Sequence, residues 1–174
     1  MTERNNFRTL SNILFWCCNI LLVILPVLLL VIWLNIDLIE DFFPGDYDIT
    51  TFNIKTQAFG MLFSLLPLSI GMYGISSLRR LFRNYAGGRV FLSENARYIK
   101  RFAWMSILSG GLSPVFGAVY SLILSMNHPA GQHFLSIELR STDIQTILLG
   151  LVFVAIAHVM ESAHRLSEEN NQFI

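Results

Sequence analysis

The chain has 174 residues, a length that suits one water-soluble domain, yet it is 53% hydrophobic and 14% charged with a mean hydropathy of +0.54; this lies outside the soluble range and marks a membrane protein. Twelve Lys and Arg balance twelve Asp and Glu, but the two sets are placed so unequally that the zero sum excludes no partner and the positions of the charges carry the information. The only cysteines, Cys17 and Cys18, are neighbours in an apolar run, which excludes a disulfide framework.

Crossing roughly 30 Å of hydrocarbon takes about 20 apolar residues at about 1.5 Å each, and four stretches qualify: residues 11–35, 58–77, 102–126 and 144–163. The first follows Arg4 and Arg8. Its apolar core is too long for a signal peptide and no A-x-A site follows, so it reads as a retained span. The connection after it, "DLIEDFFPGDYDITTFNIKTQ", carries Asp37, Glu40, Asp41, Asp46 and Asp48 among Phe42, Phe43, Tyr47 and Phe52, and its rings suit the membrane interface.

Past the second span, Leu78, Leu81, Phe82 and Tyr85 recur at helical spacing while Arg79, Arg80 and Arg83 take the other positions, so the span is expected to continue as an amphipathic helix. Gly87 and Gly88 would stop it. Ser93 is an N-cap candidate with Glu94 in the first turn, and a new helix through Ala96, Tyr98 and Ile99 would lead into the third span. The expected element is a basic helical hairpin over residues 78–101.

In the third span Ser109, Ser113, Gly117 and Ser121 recur every four residues, a small-residue ridge suited to a packing seam inside the bundle, to the dimer interface of a homo-oligomer or to a substrate path. Pro26, Pro67 and Pro114 fall mid-span, where each removes a backbone donor and can kink its helix. The last connection, "NHPAGQHFLSIELRSTD", has a turn signal at Pro129 to Gly131. His128, His133, Glu138 and Asp143 in or beside it are residue types that bind metals, but a solvated loop is expected. The final "SEENNQFI" is polar enough to fray.

Basic residues set orientation, because Lys and Arg stay on the cytoplasmic side and Asp and Glu weigh little. Arg4, Arg8, Arg79, Arg80, Arg83, Arg89, Arg97, Lys100, Arg101 and Arg165 fall on one side and only Lys55 and Arg140 on the other. Both termini and the basic connection are therefore expected in the cytoplasm.

The chemistry legible in the spans is sparse. His158, Glu161 and His164 recur at three-residue steps, and Glu-x-x-His is a spacing of carboxylate-bridged metal sites in bundles. Such sites draw further carboxylates from other helices, and the remaining spans offer none, so no metal or cofactor is expected. His158 is the deepest ionisable group and suits pH sensing. No phosphate loop, nucleophile elbow, H-E-x-x-H or Cys-x-x-Cys occurs, which points away from an enzyme. For Arg79, Arg80, Arg83, Arg89, Arg97, Lys100 and Arg101 the expected partners are anionic lipid headgroups, at on the order of 1 kcal/mol per basic residue. A cytoplasmic protein anchored on Arg83, Tyr85 and Phe91 is another. Direct nucleic-acid binding is not expected, since charge without a nucleic-acid fold is no motif.

The succession "LRRLFRNYAGGRVFLSENARYIKRFAW" between the second and third spans, with the ending "AHVMESAHRLSEENNQFI", resembles the bacterial membrane family called domain of unknown function 2975. The resemblance implies four membrane helices and brings no catalytic residue. It also implies a small helix-turn-helix regulator as companion. His158, Glu161 and His164 stand outside it. The expectation is an all-α integral membrane four-helix bundle of one domain in the bacterial inner membrane, non-enzymatic and regulatory or sensory; the alternative is a small transporter or channel component.

Overall fold

The computed structural model describes residues 2–35, 38, 52–90, 92–128 and 135–171, and the side chains of those between residues 6 and 166. Four helices make up most of it: α1 (Thr2–Leu34), α2 (Ile54–Ala86), α3 (Ser93–Ser125) and α4 (Ser141–Asn171). No strand occurs among the described residues. Each helix holds a segment long and apolar enough to cross a membrane, over Asn6–Leu34, Ile54–Ala86, Ser93–Ser125 and Ser141–Leu166, and these contain the four expected spans to within a residue. The helices run on through Pro26, Pro67 and Pro114. With 31 to 33 residues apiece they are about 46–50 Å long, well over the roughly 30 Å of hydrocarbon.

The helices pack in chain order, α1 on α2, α2 on α3 and α3 on α4, and among the described residues α1 and α4 make no close backbone contact. The outer helices therefore keep broad apolar surfaces, with Trp16, Val23, Leu148 and Val159 all exposed. Lipid solvates such surfaces as well as a protein neighbour would, so helix association must come from close approach and hydrogen bonds.

Both devices are present. Trp33 of α1 lies where a side chain on Gly60 of α2 would stand. Its Nε1 donates to Ser64 Oγ at 2.9 Å, the Tyr120 hydroxyl of α3 donates to the same oxygen at 2.8 Å, and Ser64 donates to the Gly60 carbonyl at 2.7 Å. One small hydroxyl thus ties three helices. Between α3 and α4, Gly110 lies against the Asp143 carbonyl and Ile147, and Gly150 against the Ala103 carbonyl and Ile107. The ridge expected at Ser109, Ser113, Gly117 and Ser121 is not one contact face. Gly117 has nothing within 4 Å of a Cβ position, because α4 begins level with Gly110 and never reaches it.

Beyond that level the chain itself covers α3. The Ser136 amide donates to Ser121 Oγ at 3.1 Å and Arg140 Nη2 to Ser113 Oγ at 3.3 Å. Eight helical residues rise about 12 Å and four extended ones about 13 Å, so the two bonds agree with an extended segment running beside α3. Asp143 then starts α4 by accepting from the Arg140 amide at 2.9 Å, the carboxylate half of a capping box.

Several expectations lie outside the described residues: the acidic and aromatic positions Asp37 and Glu40 to Asp48, Phe91, the turn at Pro129 to Gly131, His133 and the terminal residues 172–174. Phe52, at the far end of the acidic connection, is half-buried against the cluster of Trp33 and Leu124.

Candidate functional site

The antiparallel packing brings the start of α1, the end of α2, the start of α3 and the last turns of α4 to one end of the molecule. On α2, Leu81 is buried and Leu78, Phe82 and Tyr85 are half-buried, while Arg79, Arg80 and Arg83 are exposed, the amphipathic division that their spacing dictates. The Arg79 guanidinium lies 5.8 Å from the ring centroid of Phe15 on α1, within cation–π range. Phe7 meets Tyr85 with ring centroids 5.6 Å apart.

Gly87 and Gly88 close α2 as expected. The Gly88 amide donates to the Tyr85 carbonyl at 2.9 Å and the Arg89 amide to the Asn84 carbonyl at 2.9 Å, with Gly88 at φ 77°, the left-handed conformation that favours glycine. A Cβ at Gly88 would lie 2.5 Å from the Arg8 guanidinium, so Arg8 of α1 sits on this turn. Two asparagines brace it from inside. Asn84 donates to Asn95 Oδ1 at 2.9 Å, and Asn95 Nδ2 donates to the carbonyls of Arg89 at 2.9 Å and Val90 at 2.8 Å. Ser93 is not the cap expected of it. It is the first residue of α3, and the cap position falls to Leu92, which supplies no side-chain bond.

Arg89, Arg97 and Arg101 are exposed, like the three arginines of α2. Lys100 differs from them: its Nζ pairs with Glu161 Oε2 of α4 at 3.4 Å. Glu161 thus reaches across to α3 rather than along its own helix to Arg165. Beside this pair a cleft of about 470 Å³ opens between α3 and α4, lined by Ser93, Arg97, Glu161, His164 and Arg165. His158 is exposed and lies outside it. Each three-residue step falls about 60° short of a turn; Glu161 and His164, one step apart, both line the cleft, while His158, two steps from His164, has rotated off.

At the opposite end, Asp143 is the buried carboxylate that sequence reasoning missed, 6% exposed. It is held by the Arg140 amide, with the Arg140 guanidinium 3.8 Å away. Glu138 accepts from the Ser136 hydroxyl at 3.0 Å, and His128 is buried. No three His, Cys, Asp or Glu residues among those described converge as metal ligands. The signal for Asp143 was its place three residues after Arg140 at a helix start, a capping pattern that its setting in a polar loop obscured.

Chemically, the described residues of the basic end place two guanidiniums, an imidazole and a hydroxyl around a recess whose one carboxylate among them, Glu161, is already paired, a balance of charge that suits an anion. No solved structure and no curated protein matches the chain. The model of a family described as protein of unknown function (DUF2975) matches residues 43–174, which takes in α2, α3, α4 and the whole basic connection. The chain belongs to that family.

Proposed function

We propose that the protein is a non-enzymatic regulatory or sensory component of the bacterial inner membrane. Both termini and the basic end face the cytoplasm, where that end meets acidic headgroups and a regulatory protein. The observation that carries this reading is the gathering of Arg8, Arg79, Arg80, Arg83, Arg89, Arg97, Arg101 and Arg165 at one end of four membrane-length helices, against Lys55 and Arg140 at the other. Basic residues of that excess are retained on the cytoplasmic face. Arg83 lies beside Tyr85 and the Gly87 turn, and exposed Arg near aromatic side chains is the usual composition of an interface anchor.

Affinity capture from mild detergent tests it. The wild-type protein should retain a specific cytoplasmic protein, and the variant combining Arg79→Ala, Arg80→Ala and Arg83→Ala should lose it. Capture that yields no cytoplasmic protein, or the same protein with both, overturns the regulatory reading.

A further inference from the structure

We infer that the cleft between the start of α3 and the end of α4 binds the phosphate of an acidic phospholipid headgroup, gripped by Arg97 and Arg165. The inference rests on the reading that the basic end faces an acidic membrane surface, and it replaces a diffuse charge effect with one built site. Four observations lead to it.

The first is charge. Of the described residues lining the cleft, Glu161 is the only carboxylate, and Lys100 pairs with it at 3.4 Å. Arg97 and Arg165 are thereby left without an anionic partner among the described residues. Guanidinium groups meet phosphate oxygens through paired N–H donors, which gives geometry as well as charge.

The second is the local backbone. Ser93 lines the cleft as the first residue of α3, and Leu92 offers no side-chain acceptor to that helix start. The first N–H groups of a long helix and the positive end of its dipole then add to the side-chain charge, offset in part by Glu94, which is exposed in the same turn.

The third is size. About 470 Å³ lies within the roughly 300–1,000 Å³ of small-ligand clefts. The space exceeds what one phosphate needs and suits a headgroup.

The fourth selects lipid over a soluble phosphate. The face of α3 that carries Arg97 continues at helical spacing through Arg101, Trp104, Leu108 and Val115, all exposed. A Cβ at Gly111 on the same face meets nothing within 4 Å. An open apolar strip with a tryptophan near its charged end leads directly away from the guanidinium, the layout expected for acyl chains below a bound headgroup.

Trp104 makes the site observable. In a Trp16→Phe background, full-length protein in mixed vesicles should have its fluorescence quenched by dibrominated phosphatidic acid at mole fractions where dibrominated phosphatidylcholine has little effect. At on the order of 1 kcal/mol per basic residue, Arg97→Gln or Arg165→Gln should each weaken the preference roughly fivefold, and both together about 30-fold. Arg80→Gln with Arg83→Gln removes the same charge outside the cleft and should change it less than about twofold. Glu161→Gln should strengthen it, an outcome that damage to the fold would not produce. No preference for the acidic lipid overturns the inference. Equal weakening by the Arg80 and Arg83 substitutions also overturns it in favour of a diffuse surface, while displacement by millimolar inorganic phosphate overturns the lipid assignment. None of these results affects capture of a regulatory protein by Arg79, Arg80 and Arg83, so the two readings fail separately.

Discussion

At the scale of single residues, polar groups decide which apolar helices meet. Ser64 accepts from both Trp33 and Tyr120 while donating to its own helix, so Ser64→Ala would remove one acceptor shared by two other helices. Losing a buried hydrogen-bonding partner of this kind costs about 1–3 kcal/mol. Thermal unfolding in neutral detergent should show that loss for Ser64→Ala. Ser69→Ala, which removes an exposed hydroxyl bonded only to the Leu66 carbonyl, should stay within about 0.5 kcal/mol of wild type. Equal midpoints for the two variants would refute the tie. The sequence marks Ser64 as one serine among several in an apolar helix, because what distinguishes it is the arrival of Trp33 and Tyr120 from other helices. The opposite failure occurs at His158, which shares a helix and a spacing with Glu161 and His164 but not their face. Regular spacing was legible there, and the angular drift over two steps was enough to carry His158 off the face that Glu161 and His164 share.

At the scale of elements, the connection between α2 and α3 is a structured turn. Its ends were readable: two glycines stop one helix, and the arginines and apolar residues of α2 divide cleanly between faces. Its interior was not readable, because Asn84 and Asn95 look like solvated positions until the turn folds them together and buries both. Asn95→Ala would remove the partner of Asn84 and of two turn carbonyls, lowering the local stability of the connection by about 1–3 kcal/mol. That corresponds to roughly 5- to 150-fold more frequent opening, and proteolysis follows the open population when reclosing is fast. Trypsin should therefore cut after Arg89 faster in Asn95→Ala than in the wild type, with helical content by circular dichroism unchanged. An unaltered rate would mean that the glycines alone hold the turn. The same limit on legibility applies to α4. Its apolar run was evident, yet the level at which it starts depends on which glycines of α3 and α4 meet, and no pattern within either helix states that register.

At the scale of the whole molecule, the register of α4 bears on where the bilayer lies. Leu135, Ile137 and Leu139 are exposed and apolar, in an extended segment beside the upper part of α3. Extended backbone leaves N–H and C=O groups that hydrocarbon cannot satisfy, so this segment belongs at the water-facing edge, with its side chains toward the interface and the body of α4 below it. In the proposed orientation, which follows the excess of basic residues at the far end, the segment lies outside the cell and the Gly87 turn inside. Both statements can be checked together in a background with Cys17 and Cys18 replaced by Ala. A membrane-impermeant maleimide added to intact cells should label Leu139→Cys. It should leave Leu148→Cys unlabelled even after permeabilisation, since nine residues farther along the chain and well inside α4 this exposed side chain faces lipid. Arg89→Cys should react only once the membrane is opened. Labelling of Arg89→Cys in intact cells would invert the orientation and remove the cytoplasmic partner from consideration. Protection of Leu139→Cys under all conditions would put the extended segment inside the membrane, where the Arg140 and Asp143 pair, not the basic end, would become the ionisable centre of the molecule.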